Sequence, residues 1–199
     1  MRKTLISLTL TALAAAAPAQ ATGMATDKAI DKDAYTAEAR QMAGSLAKQL
    51  GGALKQQLET GTPESAIAVC RDKAPAIAGE MSRSTGWRVT RVSAKTRNSL
   101  LGTPDEWEQG VLKILEARLA AGEKPEALEF SQLVDEPNGR VFRYMKGLPV
   151  APLCTTCHGG PENMPEAVKA RIAAEYPHDQ AIGYKPGMLR GGISIKRPL

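Results

Sequence analysis

Cys154-Thr155-Thr156-Cys157-His158 has the residue types and the spacing to hold a porphyrin covalently. Two thiols three positions apart can each form a thioether with one vinyl group of the same macrocycle. The histidine directly after the second thiol then lies under the iron and supplies the proximal ligand. This is the attachment signature of a c-type haem, and it occurs once, so one haem per chain is expected. Three fixed positions in five also arise by chance, and the rest of the chain has to agree with the motif.

The N-terminus agrees. Arg2 and Lys3 precede an apolar run from Leu5 to Ala17, and small residues follow at Ala17-Pro18-Ala19 and Ala19-Gln20-Ala21. A basic start, a short apolar stretch and an Ala-x-Ala site read as a signal peptide over residues 1–21. Covalent haem is attached outside the bacterial cytoplasmic membrane, so export and the haem motif predict each other. The expected location is periplasmic. No second apolar segment is long enough to span a membrane.

Removal of the leader from the 199 residues leaves a chain of about 178, enough for one domain with its own core. The formal net charge of +5 includes Arg2 and Lys3. Without them the chain is only mildly basic, and no Lys/Arg cluster with interleaved aromatics points to nucleic acid. Aromatics make up 4%, and a bound porphyrin would add the large apolar surface that they do not.

The three cysteines are an odd count. If Cys154 and Cys157 hold haem, Cys70 has no disulfide partner within the chain. It is then buried, intermolecular or functional.

The elements that must position these residues read as α+β. Residues 22–33 are polar and flexible, and one domain runs from 34 to 199. A helix over 34–58 carries Met42, Leu46, Leu50 and Leu54 or Leu58 on one stripe, with Gly51-Gly52 able to bend it. Thr62 and Pro63 start a second helix. It runs to about Ser84 with Ile67, Cys70, Ala74, Ile77 and Met81 on its buried face. Residues 87–93 form a strand. Thr103-Pro104-Asp105-Glu106 reads as a capping box that opens a third helix, ending near Gly122. Strands at 127–134 and 140–146 flank the turn Glu136-Pro137-Asn138-Gly139. Residues 147–153 form a loop into the haem motif. A short helix lies between Pro165 and Pro177, and 193–195 closes the chain as a strand. Helices followed by antiparallel strands with inserted helices give the α+β class.

For an iron at His158, several sixth ligands are open. Cys70 is either a small residue filling a helical stripe or a thiolate ligand, since a ferric iron binds and deprotonates a thiol. Met188, in a Gly-rich stretch, is the best methionine. Met145 in a strand suits the core, and Met81 and Met164 are further candidates. His178 follows Tyr176-Pro177 in a polar loop. Arg88, Arg91, Arg140, Arg143 and Arg190 could pair with haem propionates, because guanidinium binds carboxylate bidentately. Of these, Arg88, Arg143 and Arg190 are the chosen candidates. Zinc is disfavoured, because His158 adjoins Cys157 and the two cannot comfortably face one ion with Cys154. A thioredoxin-like pair lacks its βαβ setting, and no nucleophile elbow is present.

The chain resembles a known family: exported single-haem c-type cytochromes with a PAS-like fold, first characterised from cyanobacteria. The resemblance runs from about Leu50 to Leu199. It is carried by residues 66–78 around Cys70, by Thr85-Gly86-Trp87-Arg88-Val89, by residues 140–145, by the motif from Cys154 to Gly159, and by Leu189 to Ile195. It implies a small antiparallel sheet flanked by helices, with His158 as proximal and Cys70 as distal ligand. The implied role is a redox- or small-ligand-responsive haem module, able to take a diatomic ligand when reduced and acting through a periplasmic redox or signalling partner. The alternative is a periplasmic electron carrier. A haem enzyme acting on peroxide or nitrogen oxides ranks last, since no distal acid–base pair is marked in the sequence.

Overall fold

The computed structural model describes residues 31–199. The signal peptide expected over 1–21, and all but the last three residues of the polar stretch 22–33, lie outside the described residues.

Helix α1 (Lys32–Thr60) starts two residues before the expected 34 because Asp31 caps it, its side chain accepting from the Ala34 amide at 2.9 Å. It passes through Gly51-Gly52 and buries Ala39, Met42, Ala43 and Leu46. Thr62–Ser65 is a turn in place of a helix start. Ser65 Oγ donates to Thr62 O and accepts from Thr62 N. A π-helical turn, Val69–Lys73, then leads into α2 (Ala74–Thr85), which ends on Gly86 at φ +74°.

Four strands make one antiparallel sheet: β1 (Arg88–Val92), β2 (Glu129–Glu136), β3 (Gly139–Pro149) and β4 (Leu189–Pro198), in the order β1-β4-β3-β2. β3 extends through the first residues of the expected loop. The closing strand is ten residues long and lies at the centre, so the last segment of the chain completes the sheet. Short α3 (Ser99–Gly102) follows β1, and α4 (Glu106–Ala120) precedes β2. The capping box of α4 is built on Asp105 and Glu108, not on Thr103. Asp105 Oδ1 accepts from Glu108 N at 2.9 Å, and Glu108 Oε2 accepts from Asp105 N at 2.8 Å. Two further helices, α5 (Thr155–His158) and α6 (Glu166–Glu175), lie between β3 and β4.

The two sheet faces are covered differently. On one, Phe142, Tyr144, Ile193 and Ile195 pack against α1, with Trp87, Val89 and Ala78 beside them. On the other, Met145, Val92 and Leu189 pack against Val111, Leu112 and Leu115 of α4. Side chains alternate along a strand, yet Leu189 and Ile193 of β4 pack on opposite faces. The register irregularity opposite Leu148/Pro149 accounts for the flip. Gly191 makes it possible: at φ +156°, a Cβ there would lie 2.2 Å from the Val92 carbonyl oxygen. The architecture is α+β, as expected.

Candidate functional site

The Cys-x-x-Cys-His motif folds as a 3₁₀ turn, Pro152–Cys154, running into the single helical turn of α5. Thr155 Oγ1 donates to Pro152 O at 2.7 Å and the Gly159 amide closes on Thr155 O at 2.8 Å. The two thiols are free and half-buried, and each packs on its own small cluster. Cys154 lies against Val150, Ala181 and Tyr184. Cys157 lies against the group formed by Ile67, Met164, Val168, Ile172 and Tyr176. Burial pushes the Cys157 thiol up, Arg97 offsets part of that, and the other two cysteines add to it.

His158 is held from the backbone. Its Nδ1 lies 2.8 Å from the Ala181 carbonyl oxygen, which can only accept, so the neutral ring carries its proton on Nδ1 and leaves Nε2 with the lone pair. Burial, then the guanidinium groups of Arg97 and Arg190, push the imidazole down to about 2 against the smaller opposing effect of the Ala181 bond. The ring is therefore neutral across the physiological range, the state a metal requires. Tyr184 meets it edge-on with centroids 6.3 Å apart, and the amides of Gly183 and Tyr184 bind Gly159 O and His158 O.

A cavity of about 320 Å³ opens beside this ring. His158 and Cys70 both line it, together with Tyr176, Leu148, Arg190 and Leu101. Cys70 reaches it through the π turn. The Ala74 amide bonds Val69 O, five residues back, so the turn holds one residue more than an α-helix allows. That residue shifts the stripe: Val69 fills the core and Cys70 stands half-buried, instead of lying on the buried face of an unbroken helix.

The other candidate ligands sit elsewhere. Met145 is buried under α4, Met164 belongs to the cluster behind Cys157, and Met81 packs against the α1 core. Met188 is exposed, its Sδ accepting from the Lys185 amide at 3.2 Å. His178 is exposed and is not part of the cavity wall.

The arginines divide by strand alternation. Arg190 and Arg91 line the cavity. Arg190 donates from Nη1 to Ser93 Oγ at 2.7 Å and to Lys95 O at 3.1 Å, and its buried Nε has no partner among the described residues. Arg143 alternates with Phe142 and Tyr144 and so faces α4. There it lies over Trp107 at 4.5 Å and bonds Asp105 at 2.5 Å and Glu136 at 3.3 Å. Arg88 alternates with Val89 and is exposed on that same side, close enough to lower the Asp105 carboxyl. Neither Arg88 nor Arg143, both expected as propionate partners, is among the residues that line the cavity. Arg140 is exposed and bonds Asp135.

Sequence reasoning missed Arg97, Asp179 and Tyr176. Arg97 and Asp179 form a buried pair beside the motif, with Nε–Oδ1 at 3.2 Å and Nη2–Oδ2 at 3.0 Å. Both stand in polar stretches that read as ordinary loops, and no periodic signal marks them.

Comparison with known proteins is consistent with this geometry. The Tll0287-like family model matches residues 15–198. A solved structure described as the crystal structure of the cyanobacterial heme-protein Tll0287 superposes with a TM-score of 0.65 at 22% identity, covering 85% of this chain and 97% of that one. Among curated proteins no match was found. At that identity the solved structure supports the shared fold, whereas the family match spans nearly the whole sequence. The chain belongs to the Tll0287-like family.

Proposed function

We propose that the chain is an exported c-type cytochrome that holds one haem in the cavity beside His158. Thioethers to Cys154 and Cys157 would anchor the macrocycle, His158 Nε2 would be the proximal ligand and Cys70 the distal one. The observation that carries this reading is that Cys70 and His158 line the same cavity while every methionine candidate and His178 lie outside its wall. The solved relative is itself described as a heme-protein.

The residues fit the group. The Nδ1 bond to Ala181 fixes the tautomer a proximal histidine needs. The buried, unpartnered Nε of Arg190 lacks an acceptor, which a propionate oxygen would supply, and Arg91 stands on the same wall. Leu101 lines the cavity yet is half-exposed, and Leu100 beside it is 94% exposed. An apolar macrocycle resting against this lip would take that surface out of water.

When bound, the haem supplies a one-electron iron couple and, in its ferrous form, an affinity for CO or NO. The protein's part is to choose what occupies the distal side. Cys70 as thiolate neutralises the ferric centre and so favours that state. A Cys70 thiol that took up a proton would carry no charge and would favour the ferric state less, so the protonation state of Cys70 would be coupled to the redox state. Redox state and ligand would then bias one two-state element. This makes a responsive module the preferred role over an electron carrier, which would keep both ligands.

Optical and EPR spectra of the purified protein in both redox states test the reading. A low-spin ferric spectrum of thiolate type, with haem retained through acid–acetone extraction, is expected. Haem that extracts completely from properly matured protein overturns covalent attachment.

A further inference from the structure

The wall behind His158 is organised by one side chain that the haem motif does not contain. Arg97 Nη2 lies 2.6 Å from the carbonyl oxygen of Cys157 and 3.3 Å from that of Ala181, and the same guanidinium grips Asp179 through Nε and Nη2. Asp179 Oδ1 in turn accepts from the Ala181 amide at 2.8 Å. Ala181 O is the acceptor for His158 Nδ1. Next to these contacts the Gln180 amide bonds Thr96 O at 2.8 Å, tying the two segments backbone to backbone.

These contacts form a closed loop. One branch runs from Arg97 directly to the second cysteine of the motif. The other runs through Asp179 and the Ala181 peptide to the imidazole. Both meet at Cys157-His158, adjacent residues that have to present one thiol and one nitrogen to a single ligand. The pair is nine-tenths buried, with side chains 9% and 7% exposed. A buried ion pair is an indifferent stabiliser compared with apolar packing of the same volume, so stability alone does not account for a pair at this point.

We propose that Arg97, with Asp179 as its partner, is the positioning residue for the proximal histidine: it sets the place of the Ala181 carbonyl and thereby the tautomer and ring orientation of His158. This rests on the haem reading for its purpose but not for its geometry. The planar fork of arginine is required, because one guanidinium serves a carboxylate and two carbonyls in fixed directions. Lysine carries the same charge without the fork.

The test compares Arg97→Lys and Asp179→Asn with the unchanged protein and with Arg118→Lys. The last breaks a similar Arg–Glu pair at the end of α4, away from the cavity. Arg97→Leu is the harsher variant, and the two conservative ones stand in if it does not fold. Two readouts are taken on each sample: hydrogen exchange of His158 Nδ1–H by NMR, and the ferric EPR and optical spectrum. Arg97→Lys and Asp179→Asn are expected to speed Nδ1–H exchange by about tenfold, the size of effect one hydrogen bond to a charged group can have. They are also expected to shift the low-spin ferric signal, while Arg118→Lys moves neither. If both variants merely lower the melting temperature and leave the His158 signals where they were, Arg97 is a structural pair and the proposal is overturned. A preparation without covalent haem sinks the haem reading instead, and Nδ1–H exchange in that same preparation still decides the role of Arg97.

Discussion

Arg143 of β3 and Glu108 of α4 face each other in the core, 3.4 Å apart from Nη2 to Oε1, on the sheet face opposite the Cys70–His158 cavity. Glu108 also accepts from Ser194 Oγ at 2.6 Å and closes the capping box of its own helix. Asp105, Glu136 and Lys196 extend the network outward. Arginine in a strand beside a haem motif invites a cofactor role. Here it joins α4 to the sheet.

Replacing Arg143 therefore tests fold and site separately. Arg143→Met leaves Glu108 buried without its cation and is expected to cost about 3–5 kcal/mol in stability. Urea unfolding measures this. The visible spectrum of the haem protein should not move, whereas a propionate partner would shift it.

Acid should destabilise the fold through carboxylates held low. Glu129 is kept below the ordinary range first by its hydrogen bond from Arg40, with Tyr144 OH adding a second at 2.8 Å. Burial alone would raise Asp105, but the hydrogen bonds from Arg143 and the Glu108 amide outweigh it. Both folded values lie below the unfolded ones, so their contribution is complete above the unfolded value of about 4 and is lost as pH falls through the folded values. Denaturation midpoints should be flat near neutrality and drop below about pH 4. Glu129→Gln should flatten part of that drop, and an unchanged acid limb would show that Glu129 does not contribute.

Cys70→Ala is expected to convert a thiolate-type low-spin ferric spectrum to high-spin, or to another sixth ligand, with the haem still covalently held. Stability should change by less than about 1.5 kcal/mol, since the thiol is small and half-buried. Identical ferric EPR spectra for variant and parent would remove Cys70 from the iron.

A thiolate ligand at Cys70 would lower the potential. Stabilising the ferric state lowers the midpoint, and each ~59 mV corresponds to about 1.4 kcal/mol for a one-electron couple. A clearly negative midpoint and CO binding to the reduced protein are expected. A positive midpoint with a six-coordinate ferrous haem that ignores CO would favour the electron carrier.

Much of this was legible in the sequence because it depended on local rules. The motif, the Met42 and Leu46 part of the α1 stripe, the helix between Pro165 and Pro177 and the turn before Gly139 follow from spacing, period and turn chemistry. The errors have a common physical origin. Thr103 and Asp105 are both adequate caps, and the buried hydroxyl of Ser194, which donates to Glu108 Oε1, helped decide for Asp105–Glu108 from 86 residues away. Arg88 and Arg143 were misplaced because the face a strand residue takes depends on register with its neighbours. That register pairs both Arg88 and Arg143 with Lys196 of β4, which neither segment shows alone. Arg97 and Asp179 meet from segments 82 positions apart, and nothing local announces that meeting.

The turn at Val69–Lys73 carries a consequence at the level of the gene. A π turn is an α-helix with one residue inserted. Deleting a single codon within Arg71–Lys73 would remove the residue that the π turn adds and let the helix close with ordinary geometry. Each residue advances an α-helix by about 100°, so Cys70 would swing relative to α2 and leave the cavity wall. A thiol that faces the cavity and a thiol that fills the core are then one deletion apart. A descendant that has lost that codon would keep the cysteine and the Cys-x-x-Cys-His motif, yet would no longer set that thiol against the cavity.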